Sequence, residues 1–306
     1  MKKNILSAVA IFTAVLALAA CQNREEMNES LRKQVNIIAT IDGQIRSAQT
    51  RTQMQDDGSG KFVKGDKIAL NHFTEEDKKG TILPYTLSTT VLYWDEVAKM
   101  PDALVGFRGW YPYFEPKKDE LGGTVYNVAG AADDMHRDLL VSSAAIVKVG
   151  KPVALVFRHM MHKLTVTLTS NYFSADDLKK AKLTLTGFKS HAKVDIMNAT
   201  VDAGKASGNG SYPSATGAKT SFIVAPQDLK TGEEMIRIEV GGMKFAYLVP
   251  QAPGTAPDGN YRLESGKTLK LTLRIDRNGV SLDGMTIAPW DVQGEHEGNV
   301  KPVEQP

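Results

Sequence analysis

The chain holds a single cysteine in 306 residues, Cys21. No disulfide can form within the chain, so its fold rests on apolar burial, and Cys21 is either a free thiol or a modified one. Excess charge of one sign is lacking too. The sequence carries 37 basic and 35 acidic residues. Residues 1–20 contain Lys2 and Lys3 and no acid, so the remainder holds 35 of each sign. With no net field and no basic run, nucleic acid is excluded as an expected partner. After Ala20 no apolar stretch approaches the ~20 residues that a membrane-spanning helix needs. Enzyme motifs are missing as well: there is no G-x-S-x-G, no H-E-x-x-H and no D-x-D-x-D-G calcium loop. Adjacent acids such as Glu75-Glu76 and Asp133-Asp134 read as solubilising surface.

What is present begins at the N-terminus. Lys2 and Lys3 precede an uncharged run over residues 5–20 that ends in Ala19-Ala20, the pattern of a secretory signal peptide. At ~1.5 Å per residue the run spans roughly 24 Å, short of the ~30 Å hydrocarbon core of a bilayer. Leu18-Ala19-Ala20-Cys21 resembles the bacterial lipobox, where the cysteine sulfur receives a diacylglycerol and the peptide is cut just before it. An ordinary signal with an incidental cysteine is the alternative. We expect residues 1–20 to be a lipoprotein signal peptide and Cys21 to hold the mature chain on a membrane, each buried methylene contributing ~0.8 kcal/mol. Residues 21–33 are polar and aperiodic, the composition of a flexible tether. Within them Gln22-Asn23-Arg24-Glu25-Glu26 resembles the acidic export signal of surface lipoproteins in Bacteroidota, although a solvated tether needs no such role. The expected location is the outer membrane, lipid-anchored and facing the cell exterior.

Period-two alternation recurs along the rest of the chain, and long helical patterns are scarce. Val35, Ile37, Ala39 and Ile41 alternate with more polar neighbours, and Leu183 and Leu185 do the same. Ile236, Ile238 and Val240 lead to Gly241-Gly242, a two-residue hairpin turn, and Met243, Phe245 and Tyr247 return. Leu269, Leu271, Leu273 and Ile275 alternate cleanly before the turn residues Asp276-Arg277-Asn278-Gly279. Short helices are predicted over 94–99 and 174–182, the second capped by Ser174 with Asp177 three residues on. The expected fold is all-β.

Residues 153–170, VALVFRHMMHKLTVTLTS, carry two phases. Val153, Leu155 and Phe157 are apolar at odd positions, whereas Leu164, Val166 and Leu168 are apolar at even ones. One continuous strand cannot bury both sets in one core. Either a bulge lies between Arg158 and Lys163 or the chain passes there from one sandwich to another. The phase places Lys163 on the open face. His159 and His162 have H-x-x-H spacing, but three residues apart on a strand means opposite faces, and we read them as packing residues rather than metal ligands. Ser265-Gly266-Lys267-Thr268 ends like a phosphate-binding loop. The position five before Gly266 is Tyr261, however, and a strand pattern follows where a helix N-terminus is required. No catalytic, metal or cofactor site is read from the sequence.

Several stretches taken in order carry a resemblance. Phe62-Val63-Lys64-Gly65-Asp66, Gly109-Trp110-Tyr111-Pro112-Tyr113, Asp138-Leu139-Leu140-Val141 and Val156-Phe157-Arg158-His159 come first. Ile223-Val224-Ala225-Pro226-Gln227, Gly266-Lys267-Thr268-Leu269 and Ile287-Ala288-Pro289-Trp290 follow. Behind a lipobox, this set resembles the fimbrillin family of Bacteroidota, the type V pilins and Mfa-like fimbrial lipoproteins. The resemblance implies two consecutive transthyretin-like β-sandwich domains, which we place at 34–157 and 158–297, with a tail at 298–306. It implies a non-catalytic fimbrial subunit (stalk, tip or anchor) that assembles with other fimbrial subunits by donor-strand exchange and supports adhesion to a host or bacterial surface. In polymerising members an arginine-specific protease removes the first strand, and Arg46 and Arg51 follow the first strand here. They are the candidate maturation sites, against the alternative of ordinary surface arginines. The motif aromatics Trp110, Tyr111, Tyr113 and Trp290 read as core. A second reading is a monomeric surface lipoprotein that binds glycan or protein through exposed aromatics such as Trp94.

One outcome follows from the N-terminus alone. Cys21→Ser is expected to abolish incorporation of labelled fatty acid in producing cells. Equal label on both proteins removes the lipoprotein reading.

Overall fold

The computed structural model of the protein describes residues 32–41, 62–251 and 259–289. The chain is all-β, as its alternation predicts. In chain order the first half supplies β1 (Ile37–Ile41), β2 (Lys67–Phe73), β3 (Thr81–Thr86), helix α1 (Trp94–Val97), β4 (Leu104–Tyr111) and β5 (Thr124–Asn127). Helix α2 (Asp134–Arg137), β6 (Leu140–Ser142), β7 (Ala145–Lys148) and β8 (Val153–His159) complete it. The second half opens with β9 (His162–Thr169), helix α3 (Ala175–Lys179), β10 (Lys182–Leu185), β11 (His191–Asp195) and β12 (Thr200–Val201). There follow β13 (Ala215–Thr216), β14 (Lys219–Val224), β15 (Gln227–Leu229), β16 (Glu234–Val240) and β17 (Met243–Leu248). The last are β18 (Tyr261–Leu263), β19 (Lys267–Asp276) and β20 (Gly279–Pro289).

A seven-stranded sheet runs in the order β1-β8-β6-β4-β2-β3, with β7 also paired to β4. β6 and β7 occupy successive stretches beside β4, so the two short strands fill one position in the sheet. At the far edge, β3 carries Pro84 opposite Ala69, a residue that cannot donate to a further strand. In the second half, the sheets β13-β10-β16-β17 and β14-β9-β19-β20 face one another. Leu183, Ile236 and Ile238 from one meet Leu164, Val166 and Leu271 from the other in a shared core. Every apolar position of the β19 alternation, Leu269 through Ile275, is buried.

Local chemistry sets the boundaries. Gly241 and Gly242 take φ of +55° and +78° between β16 and β17, and Val240 pairs directly with Met243. A two-residue turn of that hand matches the twist of its strands, and glycine adopts it without Cβ strain. Ser174 caps α3 as its sequence predicts. Its hydroxyl accepts the Asp177 amide at 3.2 Å, and the Asp177 carboxylate accepts the Ser174 amide at 3.1 Å. Both helices named from the sequence are shorter than their predicted ranges. The chain is already extended at Ala98 after α1, and Lys182 begins β10 by pairing with Glu239.

The two phases of residues 153–170 mark a change of sheet. β8 buries Val153, Leu155 and Phe157 in the first core, and β9 buries Leu164, Val166 and Leu168 in the second. Met160 and Met161 make the passage, both buried. One expectation is corrected. Lys163 does not lie on an open face: it is 8% exposed, and Thr165 is 6% exposed. β9 is flanked by β14 and β19, and the Thr165 hydroxyl meets that of Ser221 at 3.0 Å. The second face of β9 is covered at Lys163 and Thr165 and half-buried at Thr167 and Thr169.

The two cores touch. Ala69, Trp110 and Val141 belong to strands of the first sheet but pack into the second core. On β4, Val105 and Phe107 point into the first core while Trp110 points into the other. β5 leaves the first half altogether and pairs antiparallel with β11.

Leu164 is fully buried where this second core begins. Leu164→Ala is expected to cost about 2–5 kcal/mol through lost contacts and the cavity left behind. Urea unfolding checks it, and a loss below about 1 kcal/mol places Leu164 outside the core.

Candidate functional site: the edge strand and its slot

β1 lies at one end of the seven-stranded sheet, paired with β8 alone among the described strands. The pairing is parallel, with Ile37 opposite Val153 and Ile41 opposite Phe157. Val35, Ile37, Ala39 and Ile41 face the first core, and Asn36, Ile38 and Thr40 face outward. Just before β1 the chain is held from the other side. The Val35 amide donates to Leu92 O at 2.8 Å, and the Trp94 amide donates to Lys33 O at 3.1 Å. The Val153 amide donates to Asn36 O at 2.8 Å and starts the ladder with β8.

Removing β1 would leave a slot beside β8. Its floor is the first core, and one wall is the backbone of β8. The far end is closed by Phe62, whose ring meets Phe157 edge-on at 4.8 Å and Tyr111 at 5.7 Å. Without β1 the slot presents a row of unpaired β8 backbone groups over an apolar floor. Each buried Val or Ile contributes about 1.5–3 kcal/mol, so an empty slot favours any strand that repeats the same alternation.

The sequence-derived residues distribute as follows. Cys21, Arg46, Arg51 and Trp290 lie outside the described residues. Trp110 is buried, and its indole donates to Phe114 O at 2.9 Å. Tyr111 packs on the first core and Tyr113 on the second, where the Lys67 ammonium sits 4.3 Å above its ring centre. Trp94 corrects the second reading. It is 1% exposed, opening α1 with its ring edge-on to Phe107 at 5.7 Å, so it offers no face to a ligand. The exposed aromatics among the described residues are Tyr93 at 41% and Tyr172 at 54%.

The two histidines sit on different strands with separate partners. His159 ends β8 and meets the buried Asp138 carboxylate at 2.9 Å. His162 begins β9, and its Nδ1 donates to Glu264 O at 2.8 Å. The turn that ends like a phosphate loop has another use. The Ser265 hydroxyl donates to Met160 O at 2.9 Å and the Gly266 amide to Met161 O at 3.0 Å, with Gly266 at φ +66°. It clips the passage between the cores.

Sequence reasoning missed Phe62 as the end wall and residues 92–94 as the second support of β1. No local signal marks either one, because each meets its partner across a long stretch of chain.

An all-β protein with two joined cores and a short parallel strand at the end of one sheet is the class that this geometry defines. A family profile described as Fimbrillin-like matches residues 43–290, and the chain belongs to that family. Solved structures share the fold. A candidate cell adhesion protein from Bacteroides uniformis aligns with a TM-score of 0.58 at 16% identity, covering 84% of this chain and 99% of its own. One from Bacteroides ovatus gives 0.57 at 16%, covering 86% and 99%. One from Bacteroides thetaiotaomicron gives 0.51 at 18%, covering 89% and 100%. No curated protein matches the sequence.

His162 generates a pH dependence. Burial pushes its pKa down from 6.5 to about 4, partly opposed by the Glu264 carbonyl that accepts from the ring. The folded ring stays neutral while the unfolded one takes a proton near pH 6.5. Stability is therefore full above that value and falls as pH drops through 6.5 to 4, by about 3 kcal/mol in all. His162→Asn keeps a donor for Glu264 O and is expected to flatten this slope in urea titrations between pH 7 and 4. An unchanged slope assigns the acid sensitivity to other groups.

Proposed function

We propose that the protein is a surface fimbrial subunit that gives up β1 and receives a strand from a neighbouring subunit in its place. The observation that carries this is the form of β1: a short edge strand, paired on one side, whose departure uncovers an apolar slot beside β8. Membership of the fimbrillin-like family supports a fimbrial or adhesion role and a structural, non-enzymatic one. The structures with the same fold bear the name of cell adhesion candidates. In this reading the two cores correspond to the two transthyretin-like domains, exchanging at residues 157–158. Cys21 carries the lipid that delivers the chain to the outer membrane, and the finished fimbrium supports adhesion to a host or bacterial surface ligand.

Arg46 and Arg51 are the proposed maturation sites. They fall between the end of β1 at Ile41 and Phe62, so a cut there separates β1 from the rest of the chain while leaving the end wall of the slot in place.

Limited trypsin digestion of the purified protein tests the stalk form of this function. Cleavage after Arg46 or Arg51 is expected before any later site, setting aside cuts in residues 21–33. Released protein is then expected to convert from monomer to higher-order species on size-exclusion chromatography. A synthetic peptide with the sequence of residues 34–41 is expected to suppress that growth by refilling the slot. Cleavage that leaves a stable monomer, or that comes first within residues 203–219, counts against the stalk role and favours an anchor, a tip or a monomeric lipoprotein.

A further inference from the structure

The second half holds a cleft that strand exchange does not use. It has a volume of about 170 Å³ and opens where α2, from the first half, lies across the free side of β14 beside the short strand β13. β13 and β14 border the two facing sheets of the second core, so the cleft marks the seam between them. Tyr212 is fixed at its base. Its hydroxyl donates to Lys189 O at 3.0 Å and accepts the Ala225 amide at 3.0 Å.

The walls mix donors, acceptors and apolar surface. Arg137 is only 9% exposed, and two of its nitrogens are engaged: Nη1 with Asp134 at 2.7 Å and Nη2 with Ala131 O at 3.0 Å. Its Nε is buried with no partner among the described residues. Nη1 and Nη2 each carry a second N–H, and these, rather than the solvent-inaccessible Nε, are what Arg137 can offer a ligand. The Ser214 hydroxyl meets Thr184 at 2.8 Å and that of Ser221 meets Thr165 at 3.0 Å. Each hydroxyl keeps room for a further bond. Pro213 and Ile223 supply apolar surface beside them.

We propose that this cleft binds a single sugar ring, or a polyol of similar size. The ion pair of Arg137 with Asp134 leaves the cleft close to neutral, so an anion gains little there, whereas a sugar hydroxyl both accepts from a guanidinium and donates to a carboxylate. Ser214 and Ser221 extend the same two-way bonding, and Pro213 and Ile223 suit the C–H face of a ring. The volume lies below the ~300 Å³ at which pockets for drug-sized ligands begin. It therefore suits one sugar unit and not a longer stretch of glycan within the cleft. None of the lining residues belongs to β1 or β8, so this site stands whether or not strand exchange does.

Saturation-transfer NMR on the full protein tests it, with the methyl glycosides of glucose, galactose, mannose, fucose and N-acetylglucosamine as probes. At least one glycoside is expected to give a saturable signal. Ser214 is exposed at the rim, and Ser214→Trp is expected to abolish that signal while the thermal transition stays in place. Asp134→Asn, also exposed, is expected to weaken binding about tenfold, the loss of one charge-assisted hydrogen bond. No signal from any glycoside overturns the proposal. So does a signal that survives Ser214→Trp, or one that acetate displaces more readily than free sugar does. Should Ser214→Trp fail to fold, an affinity unchanged by Asp134→Asn overturns it instead.

Discussion

A strand buries one parity of its residues against one core, and residues 153–168 carry both parities. This constraint organises the molecule. The chain satisfies it by turning from one sheet into another within Met160-Met161, two flexible side chains suited to an irregular gap. The passage is then held from both halves. The Met160 amide donates to Leu139 O, the Ser265 and Gly266 clip takes the two methionine carbonyls, and the flanking histidines reach Asp138 and Glu264. With the passage fixed, β8 is committed to the first core and β9 to the second, and the neighbours of each strand follow.

The passage is not the only link between the cores. Trp110 and Val141 cross from the first sheet into the second core, and β5 crosses as a strand to join β11. α2 lies between β5 and β6 and reaches β14, which is how a helix of the first half comes to wall a cleft in the second. The halves share apolar contacts and backbone pairing. By contrast, among the described residues β1 packs on the first core. A strand exchange confined to β1 and β8 therefore alters one core and leaves the other as it was.

Local features were legible in the sequence. The Gly241-Gly242 hairpin, the Ser174 cap and the β19 alternation depend on residues close in sequence, and each was visible there. The parity change at residues 158–163 was visible too and marks the place chosen for the domain boundary, although alternation alone does not exclude a bulge. Lys163 was misplaced because period two distinguishes the faces of a strand but not whether the second face is covered. Trp94 was misplaced because a four-residue helix has too few positions to reveal its buried side, and Asp95 and Glu96 beside it look like surface. The parallel pairing of β1 with β8 left no trace, since parallel neighbours need no turn between them. The cleft draws on residues 134–137, 212–215 and 221–223, and no motif spans such a set.

The parallel sense of β1 has a mechanical meaning. Force entering through the start of β1, with β8 held by the rest of the fold, pulls the strand along its own axis. All the hydrogen bonds of the ladder then carry load together. A hairpin opened from its free end yields them one after another instead. Forced separation is governed by the rate of unfolding and not by equilibrium stability, so shear loading lengthens the life of the contact under tension. While it is in place, this five-residue strand is loaded along its ladder and resists such a pull better than its small share of the core suggests.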